Sequence, residues 1–284
     1  MHAVPRAVWA LVAWIAYLGP IADGAGVVDI GLVYPLANET YEPTDRFPVV
    51  FAIQNPELAR NLDTYIWFKF ENHSDPSVFS WDLITRGSFL LRPSNFTDHG
   101  SEPMLLWTHQ KIDGEGPVWM WWAPAWYECD ETGAKVDSKW IGNRTAGNFL
   151  TKFEVRRGGR KADLVAATAR DDDEECAGQG VTINVTDRTH EVSRFGEPGP
   201  VTCAVVDLSS PTPASNPCRV TIDQAAVESK EAADLEERCR NLTGNKPPEC
   251  PDENLAAWKL GVPGFTSLAA ALGAAAFLVI CQIR

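Results

Sequence analysis

Several stretches of the chain alternate apolar and polar residues at period two, the mark of strands with one buried face. In 28–34, Val28, Ile30, Leu32 and Tyr34 share a face; in 47–53, Phe47, Val49, Phe51 and Ile53 do so. In 65–70, Ile66, Phe68 and Phe70 oppose Tyr65, Trp67 and Lys69. Phe149, Phe153 and Val155 line up in 149–155, and Val181, Ile183 and Val185 oppose Asn184 in 181–185. Further short strands are expected near 78–84, 88–92, 104–109, 118–127, 201–206 and 219–222. Pro35, Pro56, Pro93, Gly114–Pro117, Gly158-Gly159 and Pro198-Gly199-Pro200 punctuate these runs, and Pro and Gly are the residues that end strands. The expected fold is mostly β, an antiparallel β-sandwich-like ectodomain. One C-terminal helix is expected over 223–240, where Ala225, Ala232, Leu235 and Cys239 form an apolar stripe among Glu228, Lys230, Glu231, Glu236 and Glu237.

Hydropathy also sets off two ends. Residues 1–24 carry Arg6, an apolar run from Ala7 to Leu18, a break at Pro20 and small residues at Ala22 and Gly24. That is the build of a secretory signal, with cleavage expected after Gly24 or Ala25. The run is too short for a membrane helix. The ectodomain follows over 25–240, and then a Pro-rich stalk over 241–259. Residues 260–284 form a hydrophobic tail. The tail is long enough to span a bilayer, but only Gln282, Ile283 and Arg284 follow its apolar core, whereas a type I helix expects several cytoplasmic cations. Small residues near Asn254, a short spacer and a terminal apolar run instead fit a glycolipid-anchor signal, with Asn254 as the expected attachment site. Both hydrophobic ends are then removable.

Six of the twelve asparagines head an Asn-x-Ser/Thr sequon: Asn38, Asn72, Asn95, Asn143, Asn184 and Asn241. A glycan needs water around it, so these positions should face solvent. Six cysteines lie between the ends, at 129, 176, 203, 218, 239 and 250. An even set in a secreted chain reads as disulfides, with the connectivity open. Cys239 on the helix stripe suggests a staple to Cys250 or Cys218. With Cys-x-x-Cys pairs absent, no zinc site is expected. The full chain carries a net charge of −13, a surface that repels nucleic-acid phosphates.

The segments Val28–Pro35, Asn38–Tyr41 and Pro48–Pro56 resemble a family of secreted filamentous-fungal proteins catalogued as domain of unknown function 7136. Asp163–Thr168, Ile183–Thr186 and Asn216–Cys218 fit the same pattern in the same order, so the resemblance spans about residues 27–240. It implies a fungal source and a similar anchored architecture. It brings no catalytic residues.

The densest aromatic patch is Val118–Tyr127, in which Trp119 and Trp121 share one strand face and Trp122 takes the other. Exposed indoles could stack on the apolar faces of sugar rings, making Trp119 and Trp121 the candidate glycan contacts. The plainer expectation is core packing, for them and for Trp67, Trp81, Trp107 and Trp140. The acidic run Asp171–Glu175 lacks the spaced pattern of a calcium loop. Glu115, Glu128, Asp130 and Glu131 near the tryptophans are the only candidates for a glycosidase carboxylate pair. Neither a Gly-x-Ser-x-Gly elbow nor a P-loop occurs. No catalytic residue and no cofactor are expected. The reading is an extracellular, membrane-anchored glycoprotein of structural, adhesive or weakly glycan-binding role. Its partners would be the membrane, through the tail, and cell-wall glycan. The alternatives are a secreted carbohydrate-active enzyme and a type I protein of the secretory pathway.

Overall fold

The structure, a computed structural model, describes residues 25–74, 82–96, 102–129, 144–169, 180–193, 199–210, 215–216, 219–240 and 249–250. The period-two segments form strands, which assemble into two sheets. The first contains β1 (Gly26–Tyr34), β3 (Thr44–Gln54), β6 (Met104–Ile112), β10 (Gly180–Ser193) and β11 (Pro200–Val206), in the order β11-β10-β1-β3-β6. The second contains β2 (Thr40–Tyr41), β4 (Tyr65–Asn72), β5 (Asp82–Leu90), β7 (Gly116–Trp126) and β9 (Phe149–Val155), in the order β2-β9-β7-β4-β5, with β8 (Arg144–Thr145) added to β7. Every pairing between these strands is antiparallel except β2 with β9. The mostly β, sandwich-type architecture expected from the sequence is what the chain adopts.

The two inner faces meet through aromatic rings. Phe51 of β3 packs on Trp122 of β7 (centroids 5.0 Å apart) and on Phe68 of β4 (6.1 Å). Phe47 stacks on Phe153 of β9 at 5.4 Å, and Trp122 stacks on Phe149 at 4.5 Å. These rings come from the predicted inward positions, and Phe51, Phe68, Phe47 and Trp122 are buried. Each fully buried apolar side chain of this size contributes about 1.5–3 kcal/mol. Gly87 of β5 lies opposite Phe68. A Cβ there would sit 2.3 Å from the Phe68 ring, so the glycine makes room for the phenyl group.

β3 does not alternate; Phe47 through Ile53 are all buried. Its outer side belongs to a face that is itself covered near β1. There α2 (Leu164–Thr168), the next helix in the chain after the short α1 (Pro56–Ala59), and residues 219–222 supply the buried Leu164, Ala167, Val220 and Ile222. Thr168 Oγ1 accepts from Ile222 N at 2.8 Å and donates to Leu164 O at 2.8 Å, holding the two segments together. Asp29 of β1, also buried, accepts from Ser215 Oγ and from Asn216 N, the latter at 2.9 Å. Residues 219–222 are thus not a strand. Their apolar residues cap a sheet face, a role that strand-like alternation imitates. The two strands expected at 78–84 and 88–92 are one, β5, where residues 82–90 are described.

Backbone bonds tie the sheet edges together. Cys129 N donates to Ala204 O (2.8 Å) and Ala204 N to Asn61 O (3.1 Å). The Cys129–Cys203 disulfide fastens the same corner, packed against Val205 and Val192. At the other side, Thr85 Oγ1 of β5 donates to Gln110 Oε1 of β6 at 2.7 Å.

The chain divides into two compact units at Gln224/Ala225. The second contains nearly all of α3 (Gln224–Arg240) and the Cys239–Cys250 disulfide. No residue of this helix is buried, and the predicted stripe is partly covered at Leu235 and Cys239 only. Ala225 and Ala232 are exposed, whereas Val227, Lys230, Glu231, Asp234, Leu235 and Cys239 are partly covered. Among the described residues no helix is long and apolar enough to cross a membrane. The predicted tail, the signal segment and Asn254 lie outside the described residues.

Candidate functional site

Strand pairing places a group of aromatic and charged side chains on the outer face of the second sheet. Along β7, Val118, Met120 and Trp122 point inward and are buried, so Trp119 and Trp121 point outward, where both are half-buried. β4 does the same: Ile66, Phe68 and Phe70 are buried, while Tyr65, Trp67 and Lys69 face out. The register then sets neighbours. Trp121 lies opposite Lys69 on one side and Leu150 on the other; Trp119 lies opposite Glu71 and Lys152; Trp67 lies opposite Ala123 and Ser88. Lys69 in turn faces Arg86 of β5.

Trp119 is enclosed. His73 N donates to Pro117 O at 2.9 Å, extending the β4–β7 ladder by one residue. That seats the imidazole flat on the Trp119 ring, 3.7 Å between centroids and 13° between planes. Lys152 Nζ lies 4.2 Å from the same ring centroid. Since β4 and β9 flank β7 on opposite sides, imidazole and ammonium approach opposite faces of the indole. Glu71 sits beneath this group, 4 % exposed. Its carboxylate accepts from Lys69 Nζ at 2.6 Å and lies 3.8 Å from His73 Nε2. Trp121 has no stacked imidazole or overlying ammonium of this kind among the described residues: its ring contact is with Trp119, at 6.3 Å between centroids and 55° between planes. Its indole N–H is covered and has no acceptor among the described residues, while the residue as a whole is half-buried.

The candidate glycan contacts are therefore brought together but are not equivalent. Trp119 has both faces occupied by its own chain, and Trp121 has not among the described residues. The core expectation for the tryptophans holds for Trp122 and Trp126. It fails for Trp119, Trp121, Trp67 and Trp107, which are half-buried on outward-facing positions. Trp107, on β6, lies opposite Val50 on the outer side of the first sheet. Trp81 and Trp140 lie outside the described residues. Sequence reasoning missed Lys69, Glu71, His73, Arg86 and Lys152. The outward alternation of Tyr65, Trp67 and Lys69 was visible, but not the register that sets it beside Trp121.

The two acids available for a glycosidase pair are far apart. Glu115 precedes β7 and Glu128 follows it, so about 33 Å of strand separates them, against the roughly 5–10 Å that paired catalytic carboxylates need. Glu115 pairs with exposed Arg157 at 3.2 Å. Buried Glu128 accepts from Trp126 Nε1 at 3.1 Å. Asp130, Glu131 and the Asp171–Glu175 run lie outside the described residues. Among the described residues, no three His, Cys, Asp or Glu side chains gather as a metal site would require.

Of the sequons, Asn38 and Asn95 are exposed. Asn72 pairs with Val118, which puts it on the opposite parity to Trp119, and it is partly covered at the strand end. Asn184 is also partly covered, and its Nδ2 donates to Ser210 O at 3.1 Å. Asn143 and Asn241 lie outside the described residues. The six cysteines give Cys129–Cys203 and Cys239–Cys250, while Cys176 and Cys218 lie outside the described residues. Disulfides of this kind fit an oxidising compartment.

The model of the family described as "Domain of unknown function (DUF7136)" matches residues 23–250. No curated protein matches the chain. Among solved structures, the chain is similar to the CARDB domain of a Pyrococcus furiosus protein, solved in complex with di-metal ions. Identity there is 11 % over 47 % of this chain and 90 % of that one, with a TM-score of 0.23. It is also similar to a chain of the human seminal-plasma complex of zinc 2-glycoprotein and prolactin inducible protein. That match has 14 % identity over 45 % and 93 %, with a TM-score of 0.22. With the family model covering most of its length, the chain belongs to the family of domain of unknown function 7136.

Proposed function

We propose that this member of the family is a glycoprotein of the fungal cell surface or wall that binds glycan through the outer face of its second sheet. The observation that carries the reading is the half-exposed aromatic row of Tyr65, Trp67 and Trp121 beside an enclosed Trp119. A sandwich normally turns polar residues outward. Here the outward positions hold rings that bury large apolar area on contact and that suit the flat apolar faces of sugars. The role is adhesive or structural rather than catalytic. Membrane attachment would run through a lipid anchor near Asn254, a reading supported by the small residues there and the apolar run that begins at about Leu260.

The test is retention of the purified ectodomain on isolated wall polysaccharide. Retention should fall at least several-fold in Trp121→Ala and be unchanged in Trp107→Ala, a half-buried tryptophan of the other sheet. No retention of the parent protein on any wall fraction would remove the reading. The anchor is tested separately by mass spectrometry of the mature carboxyl terminus: a glycolipid near Asn254 is expected, and an intact Arg284 would mean a spanning helix instead.

A further inference from the structure

We propose that the outer face of the second sheet selects acidic glycan, a chain of hexuronate residues, over neutral glycan. The inference rests on the glycan-binding reading above and adds the ligand's charge.

The chain as a whole is strongly acidic, with a net charge of −13. The outer face inverts that sign. Lys69, Arg86 and Lys152 stand against Glu71 and Glu154 there, before any charge on His73 is counted. Two of the cations, Lys69 and Arg86, lie directly opposite each other on neighbouring strands. Like charges in that position oppose strand pairing. In a chain with an acid surplus, a single Arg86→Glu change would turn the repulsion into an ion pair, so the arrangement is not explained by the stability of the sheet. Of these two cations, Glu71 pairs with Lys69 only. Arg86 is exposed and has no ion pair among the described residues, which leaves its planar donor fork open for a carboxylate.

Geometry matches the same ligand. Trp121, Lys69 and Arg86 occupy one row across β7, β4 and β5. Adjacent strands are about 4.8 Å apart, close to the length of one pyranose residue. A chain laid across the strands would place one sugar on the Trp121 ring and the carboxylates of the next residues over Lys69 and Arg86. The 55° tilt between Trp119 and Trp121 prevents the two rings from forming a flat platform. This suits a single soluble chain better than a crystalline glycan surface.

The experiment is calorimetric titration of the ectodomain with hexagalacturonate and with cellohexaose. At about 0.05 M salt the acidic oligomer should bind roughly ten-fold tighter, and the preference should shrink several-fold at about 0.5 M as screening shortens the reach of the charges. Arg86→Ala should remove most of the preference by weakening the acidic oligomer far more than the neutral one; Lys111→Ala, an exposed lysine on β6 of the other sheet, should leave both affinities unchanged. Equal or tighter binding of cellohexaose would overturn acid selectivity and leave the glycan reading standing. Failure of both oligomers to bind would overturn both.

Discussion

Trp121 and Trp122 are chain neighbours that the fold assigns to opposite sides of one sheet, so replacing each by alanine should give opposite results. Trp122 is fully buried and packs against Phe51 at 5.0 Å and Phe149 at 4.5 Å. Its removal leaves a cavity between the sheets that the surrounding rings fill only in part. Such a change costs about 3–5 kcal/mol. In a body of this size, each kcal/mol lowers Tm by roughly 2–4 °C. Trp122→Ala should therefore lower Tm by about 6–20 °C. Trp121 loses no core contact. Its tilted contact with Trp119 at 6.3 Å and its cover over the sheet are worth about 1 kcal/mol, a fall of a few degrees. Thermal melts and urea titrations followed by circular dichroism would read both variants. Equal destabilisation within about 1 kcal/mol would show that Trp121 is also interior, and the outer face would cease to be a binding surface.

Burial raises the phenol pKa of both Tyr34 and Tyr41 above the ordinary value of 10.0, with the neighbouring Tyr41 adding to the effect at Tyr34. A phenol kept neutral by the fold but free to ionise when unfolded contributes stability that is complete below pH 10 and declines as pH rises beyond it. Absorbance titration should show these two tyrosines silent near pH 10, with stability falling above it; two normal titrations would contradict the core packing. The Cys129–Cys203 disulfide spans 74 residues, so its loss through Cys203→Ser should cost up to about 4.5 kcal/mol by loop-closure entropy, measured as a shift of the urea midpoint. Gly87→Ala should cost about 1–3 kcal/mol, because the added Cβ meets the Phe68 ring at 2.3 Å. A neutral result there would place Phe68 elsewhere.

The strands of the sandwich were legible because burial on one side writes itself as alternation, as in Ile66, Phe68 and Phe70 or Val118, Met120 and Trp122. β3 was legible only in half. Its outer residues are buried as well, and nothing in the local pattern announces that cover. The same limit applied to residues 219–222, where Val220 and Ile222 bury without pairing as a strand. At the candidate site, the outward pointing of Trp119 and Trp121 followed from parity within one strand. Their partners did not. His73, Lys69 and Lys152 reach Trp119 and Trp121 only through the registers of β4, β7 and β9, and register is a property of strand pairs rather than of any single segment. Hence the ring enclosed on both faces, Trp119, and its neighbour Trp121 looked equivalent in the sequence.

The central claim is that ligand meets the chain on the outer face of the second sheet. Hydroxyl-radical footprinting of the ectodomain with and without wall polysaccharide tests it most directly, because tryptophan oxidation reports ring exposure residue by residue. Free protein should oxidise at Trp67 and Trp121 and not at Trp122, and polysaccharide should protect Trp67 and Trp121 while leaving Trp107 unchanged. Unaltered oxidation of Trp67 and Trp121 in the bound protein, or protection confined to Trp107, would contradict the account.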